Sequence, residues 1–92
     1  MTWQLRLYGV LEGEWDDWVR EWRDEILPLR VSLGFEVLGP WRTADGRFAW
    51  LIGHDDFDAA DAAYFAAPER AALDPDPTRH LTAQETIRLE PF

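Results

Sequence analysis

The sequence predicts an α+β domain in which two helices pack on one side of a four-stranded antiparallel sheet. Two observations carry this prediction. The hydrophobic period changes from two to about 3.6 residues at Glu14, and returns to two after Gly34. The pair Asp45-Gly46, a signal for a tight turn, then joins two short alternating runs. The resulting order, β-α-β-β-α-β, is the split βαβ arrangement of a ferredoxin-like fold.

The first part of the chain supplies a strand and a helix. Residues 1–10, MTWQLRLYGV, alternate between apolar and polar side chains, as a half-buried strand does. From Glu14 to Leu33 the apolar residues recur at helical spacing, and acidic residues fill the first turns, where they suit the helix dipole. Pro28 lies inside this pattern and removes one backbone donor, which predicts a bend in the helix just before it. Gly34 is a natural C-terminal cap.

The second part supplies a hairpin, a helix and a last strand. Residues 35–42 and 47–54 predict the two strands of the hairpin. Residues 57–73, FDAADAAYFAAPERAAL, predict a second helix, which Pro68 either breaks or restarts as a short further helix. Residues 82–90 alternate again and predict the fourth strand.

Composition narrows the class of protein. The 92 residues suit one domain spanning 1–92, and six Trp give so small a core much apolar mass. The net charge is −9, from 18 acidic residues and nine Arg, which disfavours nucleic acid and anionic membranes as partners. Without Cys there is no disulfide or thiolate site. No leader or spanning segment is evident, so we expect an acidic cytoplasmic protein, and the lack of Lys and Asn suggests a GC-rich bacterial genome.

Alternation divides the strand residues between two sheet faces. One face is apolar and collects Trp3, Leu5, Leu7, Phe35, Val37, Trp41, Ile87 and Leu89. The other is mixed and collects Gln4, Arg6, Tyr8, Glu36, Leu38, Pro40, Arg42, Thr86 and Arg88. Both helices of this fold cover the same side, and a bare face in so small a protein usually pairs with something. We expect the mixed face to be the bare one and to form the interface of a homodimer.

Five segments together resemble the NIPSNAP-type family: WQLRLY, ILPLRVSLGFEVLGPW, DGRFAWLIGHDDFDAADAAY, PERAALDPDP and ETIRLEP. The likeness covers nearly the whole chain and is most specific over residues 27–41. It implies a ferredoxin-like subunit whose sheet packs against a second sheet, forming a dimeric α/β barrel. It implies no single reaction, because the wider superfamily includes cofactor-independent monooxygenases, isomerases, polyketide cyclases, haem-degrading enzymes and members without known activity. The haem-degrading branch relies on an Asn-Trp-His set, and this chain has no Asn, so we expect no haem. We also expect the protein to act without any other cofactor.

Three residues are candidates for catalysis. His54, beside two aspartates, can act as a general acid or base. Arg42 can clamp a carboxylate or enolate, and Tyr64 can orient or protonate a substrate. Each has a structural alternative: a strand end before a helix cap, an ion-pair network, or a core residue with a wet hydroxyl. His80 is expected to be a solvated loop residue, and the two histidines make no metal signature.

A second set of residues can bind a flat apolar ligand between sheet and helices. These are aromatic or cationic side chains of the strands and the first helix: Trp50, Phe48, Trp22, Arg6 and Tyr8. The small side chains Ala60 and Ala63 of the second helix would leave the space, with plain core packing as the alternative. The hypotheses are therefore a homodimer that binds an aromatic or polycyclic small molecule, as a cofactor-independent cyclase, isomerase or monooxygenase, or a non-catalytic binding or accessory protein of the same fold.

Overall fold

The chain forms two β-α-β halves that share one antiparallel sheet, as the sequence predicts. A computed structural model describes residues 1–92. In chain order the elements are β1 (Thr2–Val10), α1 (Trp15–Glu21), a π-helical turn (Trp22–Ile26), α2 (Leu27–Ser32), β2 (Glu36–Arg42), β3 (Phe48–His54), α3 (Phe57–Ala66), α4 (Pro68–Ala71), a 3₁₀ turn (Pro77–His80) and β4 (Leu81–Leu89). The strands lie in the order β2-β3-β1-β4 and every neighbouring pair is antiparallel. The predicted α+β, ferredoxin-like fold is confirmed.

The helices cover the side of the sheet that carries the mixed set of residues. Arg6 and Tyr8 of β1 are only 7% and 6% exposed, and they lie opposite Trp50 and Phe48 of β3 in the strand register. The prediction that the mixed face is bare is therefore wrong. Arg6 is charged and yet lies on the helix side of the sheet, because it pairs with the carboxylate of Asp61 on α3 at 3.4 Å.

The opposite side of the sheet carries no helix and is mostly apolar. The strand register places on it Trp3, Leu5, Leu7, Leu38, Trp41, Ala49, Leu51, Ile87 and Leu89, together with Glu36 and Glu85. We call this set the open sheet face. Leu38 and Trp41 are each 51% exposed, and Ile87 and Leu89 are 39% and 40% exposed. Most of the apolar set predicted for the interior thus lies on the outside.

A β-bulge in β2 explains why simple alternation misplaced part of that strand. Leu38 lies opposite Leu51, and the next pair on this side is Trp41 opposite Ala49. The strand therefore uses three residues where its partner uses two, which brings Leu38 and Trp41 to the same face. Gly39 within the bulge has a φ of 113°, a conformation that suits glycine.

The irregularity that Pro28 predicts in the first helix takes the form of a π turn. Pro28 has no N–H to donate to the carbonyl four residues earlier. Just before it, the N–H of Leu27 donates to the carbonyl of Trp22, which is the wider bonding pattern of a π-helix. Gly34 ends the helix with a φ of 88°, as predicted. Pro68 separates α3 from α4 and begins the latter.

The core lies between the helices and the sheet and is mainly aromatic. Its buried residues are Tyr8, Trp18, Trp22, Ile26, Phe35, Phe48, Trp50, Ile52, Phe57 and Tyr64. The ring of Trp22 meets the rings of Phe48 and Trp50 edge to face, with centres 5.2 Å and 5.5 Å apart. None of the helices has both the length and the apolar character needed to span a bilayer.

Candidate ligand-binding cavity

A cavity of about 40 Å³ lies between the helices and the sheet. Side chains from β1, β3, β4, the four helices, the π turn and the 3₁₀ turn line it: Arg6, Tyr8, Trp18, Trp22, Ile26, Arg30, Trp50, Tyr64, Phe65, Arg70, Thr78 and Gln84. Trp18, Trp22, Trp50 and Arg30 are at most 2% exposed, whereas Phe65 is 58% exposed. The cavity therefore has a buried aromatic floor and reaches the surface near Phe65.

The continuous helix made of α1, the π turn and α2 supplies four of the lining residues at a spacing of four: Trp18, Trp22, Ile26 and Arg30. In a regular α-helix, with 3.6 residues per turn, each step of four rotates the side chain by about 40°. Three such steps would place Arg30 about 120° away from Trp18. The wider π turn takes up part of that rotation, so both residues face the same cavity.

Asp61 of α3 holds two buried arginines together. Arg30 Nη1 donates to Asp61 Oδ1 at 2.6 Å, and Arg6 Nη2 donates to the same oxygen at 3.4 Å. The guanidinium carbon of Arg30 also lies 3.6 Å from the centre of the Tyr64 ring. Burial lowers the pKa of Arg30, and the hydrogen bond that Arg30 donates to Asp61 opposes this. A guanidinium nonetheless stays protonated in proteins, so two cations share one carboxylate at this site.

Arg70 is fixed at the rim of the cavity by Asp76. Arg70 Nη2 donates to the two carboxylate oxygens of Asp76 at 3.1 Å and 3.3 Å. The same carboxylate accepts the backbone N–H of Thr78 at 2.9 Å. Burial alone would raise the pKa of Asp76, but the bonds from Thr78 and Arg70 outweigh it and hold that pKa below its ordinary value. Asp76 is therefore ionised at neutral pH, and Arg70 stays paired.

Five buried donors have no acceptor within the protein, and all belong to residues that line the cavity. They are the indole Nε1 atoms of Trp18, Trp22 and Trp50 and the Nε atoms of Arg30 and Arg70. Indole and guanidinium nitrogens can donate a hydrogen bond but cannot accept one. Leaving one such group unpaired costs about 1–3 kcal/mol, so water or a ligand is the natural partner. The lining therefore suits a molecule that carries hydrogen-bond acceptors.

The lining contains no carboxylate and no imidazole. Burial raises the pKa of the Tyr64 hydroxyl, and the positive charges of Arg30 and Arg70 oppose this only in part. Tyr64 is therefore a protonated phenol at neutral pH and acts as a donor. The arrangement can bind, orient and stabilise negative charge, but no lining group is suited to take up a proton. No group of three or more His, Cys, Asp or Glu is placed to hold a metal ion.

The structure brings most of the predicted ligand-binding residues to this cavity. Those that line it are Trp50, Trp22, Arg6 and Tyr8, joined by the catalytic candidate Tyr64. Phe48 lies beneath them and packs on Trp22 without reaching the cavity. Ala60 and Ala63 do not line it either, and Ala63 is exposed. The space therefore lies beside Tyr64 and Arg70, not beneath the small residues of α3.

His54 and Arg42 lie away from the cavity, so the predicted catalytic set does not converge. His54 Nδ1 accepts the N–H of Asp56 at 2.9 Å, and Nε2 lies 3.2 Å from the carbonyl oxygen of Leu33. Both ring nitrogens thus tie the end of β3 to neighbouring helix ends, which matches the structural alternative for His54. The guanidinium carbon of Arg42 lies 4.5 Å from the centre of the Trp15 ring.

His80 is buried, contrary to the expectation of a solvated loop residue. It is 5% exposed, with Nδ1 2.7 Å from Glu14 and Nε2 2.6 Å from Glu21. Burial alone would lower its pKa, but the hydrogen bonds to the two glutamates outweigh burial and raise that pKa. The imidazolium therefore ties the 3₁₀ turn to α1. This contact could not be predicted from local sequence, because Glu14 and Glu21 lie 66 and 59 positions before His80.

Sequence reasoning missed two arginines that contribute most of the site's charge. At α-helical pitch, Arg30 falls outside the apolar stripe of the first helix. It nevertheless continues the spacing of four that runs from Trp18 through Trp22 and Ile26, and this spacing could have indicated that Arg30 lies on the same side. Arg70 lies on the four-residue helix that begins at Pro68, and no periodic pattern marks it. Its position depends on the fold of the following loop.

Solved structures of NIPSNAP-domain proteins are similar to this chain. An uncharacterized NIPSNAP domain protein from Burkholderia xenovorans matches with a TM-score of 0.86 at 22% identity, over 100% of this chain and 95% of its own. A NIPSNAP family protein from Agrobacterium tumefaciens str. C58 matches at 0.85 and 17%, over 99% and 92%. An antibiotic biosynthesis monooxygenase matches at 0.71 and 14%, over 100% and 99%. No protein-family model and no curated protein sequence matches the chain. The chain has the ferredoxin-like fold of NIPSNAP-domain proteins, as the resemblance in its sequence implies.

Proposed function

We propose that this protein binds a small aromatic molecule in the cavity between its helices and its sheet. The observation that carries the proposal is the set of five unpaired buried donors on lining residues. The ligand ring would lie against Trp18, Trp22 and Trp50, and its acceptor atoms would take the free N–H groups. Apolar walls with a few polar groups are typical of small-molecule sites. Similar folds carry many functions, so the similar structures add no substrate to this argument.

The volume of the cavity limits the size of the ligand. A water molecule needs roughly 10–15 Å³ of such space, so 40 Å³ holds a few waters. An aromatic ring enters only if the rim moves. Phe65 is 58% exposed, whereas Arg70 is held by Asp76, so the Phe65 side chain is the one that can give way. A single-ring ligand needs the smallest opening and is favoured over a polycyclic one.

Catalysis without a cofactor is the second candidate function. Its support is the pair Arg6 and Arg30 with the free donors beside them, which could stabilise a developing enolate or oxyanion. A cyclase, isomerase or monooxygenase would fit that chemistry. The lining offers no general base, however, so a substrate would have to arrive already ionised or lose its proton to water. For this reason we favour a binding function.

Tryptophan fluorescence tests the binding proposal, because three of the six Trp line the cavity. Titration with benzamide or benzoate should give a saturable change, whereas toluene, which has the ring but no acceptor, should give none. Trp22→Phe removes one lining donor and should weaken binding. Trp41→Phe, on the open sheet face, is the matched control and should bind as the wild type does. If neither benzamide nor benzoate gives saturation, the proposal is wrong.

We also propose that the protein is a homodimer that pairs through the open sheet face. The support is a contiguous apolar surface that includes Leu38, Trp41, Ile87 and Leu89, each about two fifths to one half exposed. A specific interface buries about 1,200–2,000 Å². Sedimentation should give twice the chain mass of 10.7 kDa. Ile87→Glu should give a monomer, whereas Thr86→Glu, one residue earlier on the helix side, should not. A wild-type monomer at micromolar concentration would exclude the dimer.

A further inference from the structure

Two of the unpaired donors belong to guanidinium groups on the same aromatic ring. The guanidinium carbons of Arg30 and Arg70 lie 3.6 Å and 6.0 Å from the centre of the Tyr64 ring. Each arginine gives an Nη atom to one carboxylate, Asp61 or Asp76. Each also keeps a buried Nε with no partner. The carboxylates thus fix the two guanidinium groups without using all of their donors.

The charge around the cavity is opposite in sign to that of the protein. The lining contains three arginines and no acidic side chain, although the chain carries a net charge of −9. Asp61 and Asp76 are the only carboxylates that bond to these arginines. Three cations against two anions leave one positive charge uncompensated. A ligand with a single negative charge would balance it.

We propose that the cavity selects small aromatic monoanions, such as a carboxylate, whose oxygens bond to the Nε atoms of Arg30 and Arg70. The ring of the anion would lie against Trp22 and Trp50. This inference rests on the proposed small-molecule binding and names the ligand class of that site. A carboxylate gains the Coulomb attraction of a full negative charge to the guanidinium groups, and a neutral amide oxygen does not, which gives the selectivity its physical basis.

The environment of Tyr64 is consistent with an anionic ligand. Burial keeps its hydroxyl protonated at neutral pH, so the phenol does not itself supply the missing negative charge. It remains a donor that an anion could use. The acidic outer surface repels anions in general, so weak non-specific binding of the ligand elsewhere should be small.

Calorimetric titration with benzoate and benzamide tests the proposal, because the two molecules have nearly the same shape and differ in charge. Wild-type protein should bind benzoate about 10- to 100-fold more tightly than benzamide. Arg70→Gln should remove most of this difference, because it should weaken benzoate binding far more than benzamide binding. The variant leaves Asp76 unpaired near the rim, so Arg70→Gln with Asp76→Asn is measured as well. Arg20→Gln, on an exposed face of α1, is the matched control for losing one positive charge.

The outcomes separate the two proposals. If neither benzoate nor benzamide binds, small-molecule binding fails and anion selection fails with it. Equal affinities for the two molecules would leave the binding function intact and overturn the anion selectivity. Wild-type benzoate affinity in the double variant of Arg70 and Asp76 would overturn the assigned contact. Loss of selectivity in both Arg70 variants, with full selectivity in Arg20→Gln, is the result we expect.

Discussion

Replacing Asp61 by Asn tests how far the buried arginines depend on one carboxylate. Arg30 and Arg6 are 2% and 7% exposed, and the Asp61 side chain is 28% exposed. Removing one partner of a buried ion pair costs about 3–5 kcal/mol, because a desolvated charge is left behind. Water can reach part of Asp61, so we expect Asp61→Asn to lower the free energy of unfolding by about 2–4 kcal/mol. In a domain of this size that corresponds to a fall in Tm of roughly 10–30 °C.

Urea and thermal denaturation followed by circular dichroism measure this effect. Asp58→Asn is the matched control, because Asp58 lies on the same helix and pairs at 3.0 Å with Arg88, and both side chains are more than half exposed. It should change the free energy of unfolding by no more than about 0.5 kcal/mol. Adding Arg30→Met to Asp61→Asn should restore part of the loss, since the unpaired buried cation is then absent. Equal effects of Asp61→Asn and Asp58→Asn would refute the reasoning.

Three further predictions concern other parts of the chain. His80→Gln should lower the free energy of unfolding most below about pH 6.5. The pKa of His80 is raised in the folded state, so its ion pairs contribute fully to stability below the unfolded-state pKa, and this contribution is lost as pH rises through the folded-state pKa. Equal losses in urea melts at about pH 5.5 and about pH 9 would contradict this. Ala63→Leu, at an exposed site, should leave Tm unchanged, whereas Ala60→Leu, packed on the core, should cost about 1–3 kcal/mol. Ligand binding should survive in both variants, and its loss would show that the cavity extends beneath α3. Gly53→Ala should lower Tm, because its Cβ would lie 2.6 Å from the Trp3 indole, and an unchanged or higher Tm would argue against that packing.

The order of elements was readable from the sequence because it depends on local periodicity. The change of period at Glu14, the turn at Asp45-Gly46 and the cap at Gly34 each act over a few residues, and the structure places all three as predicted. The Trp-rich floor of the cavity was also accessible, since Trp22 and Trp50 had to be buried somewhere in so small a domain.

The side of the sheet and the charge of the site were not readable in the same way. Alternation separates two faces but does not say which one the helices cover, and the apolar set turned out to be the open one. The charged residues of the mixed face suggested exposure, yet Arg6 is buried, because it pairs with Asp61. Asp61 lies 55 positions further along the chain, so this pairing could not be seen in the local sequence. His80 and its glutamates are a similar case. Such long-range pairing leaves no local trace.

The π turn has a consequence for comparing this chain with its structural neighbours. The π turn contains one residue more than a regular α-helical turn, so it corresponds to a one-residue insertion within the helix. A sequence alignment that places no gap inside the helix would miss this insertion. In a chain without that turn, every later helix residue would be shifted by about 100° relative to its aligned counterpart here. Arg30 would then be matched with a residue from another side of the helix. Two proteins of this fold could share a cavity arginine and show no arginine in common when only their sequences are aligned.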